Sequence, residues 1–283
     1  MTLFIKPFFC SCCVICLLRT TYSQDLYDYS NSLKYADYLF KTNQFKLASA
    51  EYERIVFLEP KDTLSRFKLI QSYRYLTEYT TAINRIEKYF QPSLNNLPKK
   101  FSDEYVRNLL YDNQFQKATD FLLNINTMDI GVKTEYQLGI LMMQYRWTEA
   151  GNFADEHLGV LATTGRFDNL NNIIKGGLNT RYKSPFLAAS ISVIVPGGGK
   201  VYSGQWADAI YSFLIVTSST WLTYKSFQKN GVSFNSFLIG SFALSFHSAN
   251  IYGSVKSAKR HNQKINQALR SDIENILLND NAR

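Results

Sequence analysis

Apolar residues in the first two thirds of the chain recur at helical spacing. Leu47, Tyr52, Ile55 and Val56 fall on one broad stripe of a helix, and Ala82, Ile83, Ile86, Tyr89 and Phe90 on another. A longer period lies over these stripes. An aromatic residue followed three positions later by alanine recurs as Phe45/Ala48, Tyr79/Ala82, Phe115/Ala118 and Trp147/Ala150, with the alanines 34, 36 and 32 residues apart. A two-helix period of this size predicts stacked helical hairpins, because one unit cannot bury its apolar face alone and its neighbours complete the core. After Ala162 the pattern breaks at Thr163-Thr164-Gly165, Asn171-Asn172 and Gly176-Gly177. These residues predict a connector, with a short helix around Phe167, Leu170, Ile173 and Ile174 capping the stack.

Past Ser184 the pattern changes character. Residues 186–195 are apolar but too few to cross a bilayer, and Pro196 stops any helix there. Residues 207–224 and 234–252 each approach the ~20 residues of a membrane-crossing helix, and a polar connection containing Asn230-Gly231 separates them. This predicts a helical hairpin in lipid, whose hydroxyls bond back to helix carbonyls or across to the partner helix. Ser241, Ser245, Ala249, Gly253 and Ser257 recur at every fourth position. Such a flat stripe invites close packing by the first segment or by a second copy of the chain. The tail from Val255 reads as amphipathic, suited to lie on a membrane or against the repeats. The predicted fold class is all-α, a helical-hairpin solenoid followed by a C-terminal membrane hairpin.

Composition adds boundaries. Lys6, an apolar stretch from Phe8 to Leu18 and the small-residue site Thr21-Tyr22-Ser23 read as a secretory signal over residues 1–23. All four cysteines, Cys10, Cys12, Cys13 and Cys16, fall inside it, so a cleaved chain would carry neither a disulfide nor a thiolate metal site. The remaining divisions expected are repeats over 24–162, a connector over 163–183, the membrane hairpin over 184–262 and an amphipathic helix over 263–283. The net charge of +8 is modest for 283 residues and does not point to nucleic acid. Its local form is more telling, since Lys256, Lys259, Arg260, Lys264 and Arg270 follow the last apolar segment, where cations meet phospholipid headgroups.

The repeat stretch resembles the tetratricopeptide repeat family. In its first unit Tyr35, Ala36, Leu39, Ala48, Tyr52, Ile55 and Pro60 occupy the signature positions. The second carries Leu69, Tyr73, Ala82, Ile86 and Tyr89, the third Tyr105, Leu109, Ala118, Leu122 and Ile125, and the fourth only Leu138, Leu141, Ala150 and Ala154. The resemblance implies a concave surface that binds peptides or proteins, and no catalysis. The C-terminal third is similar to small bacterial membrane domains that share a Pro-Gly-x-Gly-x-x-Tyr-x-Gly core, here Pro196, Gly197, Gly199, Tyr202 and Gly204. That resemblance implies no particular reaction.

Candidate chemistry is sparse. Gly199-Lys200 after glycines suggests a phosphate-binding loop, but Val201 stands where a hydroxyl residue is required and Ile194 where the first glycine belongs. The glycines are expected instead to turn the backbone at a membrane boundary, with Tyr202 and Trp206 at headgroup level. Asp208, His247 and Asn250 are polar groups near membrane depth, and without a neighbouring ligand set they predict inter-helix hydrogen bonds. No catalytic residue, cofactor or metal is expected. An exported arm with two crossings would leave the basic tail outside as well, against the usual cytoplasmic preference; a third crossing near Phe186 or an outer-membrane location removes that conflict. The functional expectation is a non-enzymatic scaffold or adaptor of the bacterial envelope, anchored in the bilayer, with a periplasmic arm that holds a protein partner. Homo-oligomers or a membrane-protein complex would fit the stripe. The alternative is a component of a membrane transport, lipid-handling or membrane-protein biogenesis machine that acts through the C-terminal hairpin.

Overall fold

The computed structural model describes residues 28–279. The expected signal segment and its cysteines lie outside these residues. The described residues form fourteen α-helices and no strand, which makes the fold all-α. Contacts divide the chain into two units, one ending at Gln114 and one beginning at Phe115.

The first unit holds α1 (Tyr29–Lys41), α2 (Phe45–Leu58), α3 (Thr63–Tyr75), α4 (Tyr79–Phe90) and α5 (Lys99–Tyr111). Asp28 caps α1 by accepting the Asn31 amide, and Asp62 caps α3 by accepting those of Leu64 and Ser65. Each hairpin turn is closed in the same way. Asn43, Thr77 and Asn113 adopt positive φ near 60°, and the next residue, Gln44, Glu78 or Gln114, donates its amide to the carbonyl of Leu39, Tyr73 or Leu109. This long back-bond with a left-handed residue satisfies carbonyls that the helix end leaves free. Ala36, Ala48 and Ala82 are fully buried, which lets helices approach closely, and Leu39, Tyr52, Ile55 and Leu69 fill the space around them.

A second device crosses these hairpins. Tyrosine hydroxyls donate to carboxylates one helix back: Tyr52 to Asp37 at 2.6 Å, Tyr73 to Glu53 at 2.5 Å and Tyr105 to Glu87 at 2.6 Å. A cation from the following helix joins the first two, Lys68 on Asp37 and Arg85 on Glu53. Each of these two carboxylates therefore ties three successive helices. Burial, reinforced by the carboxylate partners, pushes all three phenols well above their ordinary range. Burial also pulls Asp37 up, but the bonds from Lys68 and Tyr52 and the Lys68 charge outweigh it and hold the carboxyl below its usual value.

The second unit holds α6 (Phe115–Asn124), α7 (Ile130–Met143), α8 (Trp147–Glu156), α9 (Leu158–Leu161), α10 (Phe167–Leu178), α11 (Pro185–Ile194), α12 (Gly198–Tyr202), α13 (Trp206–Asn230) and α14 (Phe234–Leu277). The turn between α7 and α8 repeats the earlier geometry, with Tyr145 at φ 59° and the Arg146 amide on the Leu141 carbonyl. The stretch expected to connect folds largely as α10, whose Phe167, Leu170 and Ile174 are buried. Gly177 meets the Trp147 ring so closely that a Cβ there would lie 2.2 Å from it. The apolar segment at 234–252 and the amphipathic tail form one unbroken helix of 44 residues, about 66 Å at 1.5 Å per residue. Its last turns pack on the hairpin helices, where Leu277 lies against Gly139 and Arg166 bonds the Ile276 carbonyl while paired with Glu135. The last turns of the tail thus lie against helices of the expected repeat stretch.

The expected crossings need correction. No helix among the described residues is long and apolar enough to cross a membrane. Length is not what fails in α13, whose 25 residues reach about 37 Å. Its serines and threonines, at 212, 217–220, 223 and 226, dilute the apolar run.

Candidate functional site

The glycine turn is closely packed. Ser184 caps α11 on the Leu187 amide with Pro185 at the first helical position, and the helix ends before Pro196. The five residues Gly198–Tyr202 then wind into a short helix, so the turning is done at its two ends. Gly197 and Gly204 have φ of +84° and +79°, a region L side chains rarely enter. Gly199 serves a different purpose. A Cβ there would stand 1.9 Å from the Ala188 carbonyl oxygen and 2.6 Å from Ser192 Oγ, so glycine is what allows α12 to touch α11.

Buried polar groups lock this contact to α14. The Gly199 amide donates to Ser192 Oγ at 2.9 Å, and that hydroxyl donates onward to Ser254 Oγ at 2.6 Å. Asn250 Oδ1 accepts the Gly197 amide at 3.0 Å, and its Nδ2 reaches the Ser192 carbonyl at 3.4 Å. Asn250 thus makes the expected inter-helix bonds. Lys200 donates to Ser212 Oγ at 2.6 Å, with its stem against Gly253, and joins α12 to α13 and α14. Tyr202 is held at both ends: its hydroxyl accepts the Ser184 amide at 3.2 Å, and Lys183 Nζ sits 4.7 Å from the centre of its ring. Asn262 clamps the same entry by bonding both the amide and the carbonyl of Lys183.

The small-residue stripe is divided. Gly253 and Ser257 are packed, whereas Ser241, Ser245 and Ala249 remain exposed. α13 meets a neighbouring face of α14, at Ser236 through Ser226 and at Gly240 through Thr223 and Phe227. Adjacent helix positions differ by about 100°, so a stripe read one residue off the true contact turns partly to solvent. Asp208 is exposed, and His247 lies between α11 and α13 on the floor of a groove.

That groove exists because α11 and α13 both pack on α14 and leave a space between them. Its larger part, about 690 Å³, is lined by Pro196, Val216, Thr217, Thr220, Trp221 and Tyr224. An adjoining cleft shares Pro196, Val216 and Thr220 and adds Val193, Ile194, Ala243, Leu244 and His247. Around it the apolar side chains face outward. Phe186, Ile194, Ile210, Phe213, Leu214, Leu222, Phe237, Phe242, Leu244 and Tyr252 are all exposed, while Ser192, Ser212, Ser236, Asn250 and Ser254 are buried.

In the arm, Ala36, Ala48, Ala82, Ala118 and Ala150 are buried, Tyr73 is partly buried, Tyr35 is half exposed, and Pro60 follows the end of α2 on the surface. These residues shape the hairpins. Ser192, Ser254, Ala188 and Ala209 were not legible as site residues. One signal for them was present. Gly204-Gln205-Trp206 with Ala209 repeats the order of Asn43-Gln44-Phe45 with Ala48, and Gln205 donates to the Lys200 carbonyl as Gln44 does to that of Leu39. The hairpin turn of the arm recurs at the entry to α13. Compared with protein-family models, curated proteins and solved structures, the chain matches none.

Proposed function

We propose that the protein is a membrane-anchored adaptor of the bacterial cell envelope, with tetratricopeptide-like hairpins that hold a protein partner and a C-terminal bundle seated in lipid. The observation that carries this reading is the reversed polarity of the bundle, with apolar side chains outside and amide and hydroxyl groups inside. In water an exposed apolar surface of this extent is a liability; in lipid it is the expected solvent face. Four of the hydroxyls that dilute α13 are already satisfied, since Ser218, Ser219, Thr220 and Thr223 bond carbonyls one turn back. Their cost in lipid is correspondingly reduced, which favours insertion of the bundle as a packed unit over insertion of separate helices. Trp206, Trp221 and Tyr224 are exposed on α13, and amphipathic rings of this kind are enriched at headgroup level.

The arm supports binding over chemistry. Asp37, Glu53 and Glu87 are engaged in tying helices together, and the repeated turns form a series of hairpins, an architecture on which protein-binding surfaces are built. The test is alkaline extraction and vesicle flotation of the full chain, followed by crosslinking and mass spectrometry on membranes. The reading expects retention in the membrane and crosslinks from residues 28–114 to another protein. A chain that is extracted at alkaline pH and stays monodisperse without detergent would refute it.

A further inference from the structure

The groove between α11 and α13 has a chemical polarity along its length. Pro196 and Val216 line one end, Trp221 and Tyr224 the other, and Lys225 Nζ stands 5.3 Å from the Trp221 ring, with Lys229 one turn further. Neither lysine has a carboxylate partner among the described residues; Lys225 reaches only Gln228 Oε1. The surrounding sequence is strongly one-sided in charge. Between Asp168 and Asp272 it carries one acidic residue, Asp208, against eleven lysines and arginines.

We propose that this groove holds one acyl chain of an anionic phospholipid, with the headgroup phosphate at Lys225 and Lys229. The proposal rests on the reading that the C-terminal bundle sits in lipid. A volume of about 690 Å³ lies in the range of sites that enclose small ligands, and the mixture of apolar walls with an indole and a phenol at the charged end suits an amphiphile. A second copy of the chain is disfavoured as occupant, since a copy in the same orientation would bring its own Lys225 and Lys229 to the same end and repel them. A zwitterionic lipid offsets its phosphate with its own cation and so brings no net counter-charge to the two ammonium groups. An anionic one supplies it.

The test uses the full chain with W147F and W206F, which leaves Trp221 as its sole tryptophan. It is reconstituted in phosphatidylcholine vesicles, and fluorescence quenching is titrated with phosphatidylglycerol or phosphatidylcholine brominated on an acyl chain. With about fivefold per lysine, half-quenching is expected at roughly 25-fold lower mole fraction of the anionic lipid. K225Q should reduce that preference about fivefold. T217F/T220F, which places two rings in the groove at surface positions, should abolish it while vesicle flotation is retained. Equal quenching by both lipids would overturn the groove and leave only lipids that surround the bundle. Quenching by neither, together with disulfide crosslinks between copies carrying T217C, would assign the groove to a second copy and also overturn the proposal. Failure to float with vesicles would refute the membrane reading itself and the groove with it.

Discussion

Replacing Gly199 by alanine separates two uses of glycine that a sequence motif runs together. The added Cβ would lie 1.9 Å from the Ala188 carbonyl oxygen, and an ordinary contact begins at 3.4 Å, so α11 and α12 would have to part by about 1.5 Å. Backbone, not a flexible side chain, stands in the way. Overpacking of this kind costs about 1–3 kcal/mol. The displacement also stretches the Gly199 amide bond to Ser192 and the Ser192 bond to Ser254, each worth about 1 kcal/mol. The expected loss is therefore about 3–5 kcal/mol, on the scale of a whole domain's stability. Gly204→Ala is the control, because no atom lies within 4 Å of its Cβ and only the positive φ of 79° opposes the change, at about 1–2 kcal/mol. Gly197→Ala combines both penalties, with φ +84° and a Cβ 2.4 Å from the Ala209 carbonyl oxygen, and should be at least as damaging as Gly199→Ala. Amide hydrogen exchange over residues 185–260, in detergent or vesicles, reads the opening free energy of this segment directly. If Gly204→Ala proved as destabilising as Gly199→Ala, the close-contact argument would be wrong and the glycines would act only through backbone conformation.

Asn250→Leu should raise exchange at Gly197 and around Ser192 by an amount corresponding to about 1–3 kcal/mol, since it leaves a buried amide and carbonyl without their partner; unchanged protection would show that these groups find substitutes. In the arm, Arg74 and Glu104 form an ion pair with side chains only 6% and 2% exposed, so Arg74→Ala should cost about 3–5 kcal/mol in urea unfolding, and the double change to methionine clearly less. The phenols of Tyr52, Tyr73 and Tyr105 are raised by burial and by their carboxylate partners, so their contribution is intact below about pH 10 and is lost above it, when the unfolded chain releases protons that the folded one retains. The urea midpoint of the arm should fall above that pH, and Tyr52→Phe should flatten the fall. Asp37, held low, works in the opposite direction: its contribution is present above about pH 4 and disappears as pH falls further, a loss that Asp37→Asn should abolish from the acid limb of the same measurement.

The hairpins were legible because their signals are local. The alanine period of 34, 36 and 32 residues reappears as the spacing of the left-handed residues Asn43, Thr77, Asn113 and Tyr145. Each turn places its back-bond, an aromatic and a small residue within a dozen positions, and a window of that size is what periodicity can resolve. The tyrosine–carboxylate ties were not legible, since Tyr52 and Asp37, or Tyr73 and Glu53, become partners only once helix phase is fixed in three dimensions. Helix phase also decides the small-residue stripe. Every fourth residue from Ser241 to Ser257 forms a line on an ideal helix, but 3.6 residues per turn makes that line drift, so its C-terminal part is packed and its N-terminal part is not.

The glycine turn shows where such reading stops and why. Its order of residues pointed to a bend, and Gly197 and Gly204 do bend. Gly199 does something else: it is small because a carbonyl from the preceding helix occupies the place of its side chain. No property of residues 196–204 alone distinguishes these roles, because the second depends on Ala188, Ser192, Asn250 and Ser254 arriving from two other helices. The same dependence argues that the bundle acts as one piece. In the proposed lipid setting, separated helices would present the Asn250 amide group and the Ser192 hydroxyl without their partners, and α13 lacks the apolarity to enter alone; packed together, these groups are bonded and the apolar faces remain outside. Insertion should therefore depend on the tertiary contact at Gly199, so that Gly199→Ala lowers vesicle flotation as well as stability, whereas Gly204→Ala leaves flotation intact.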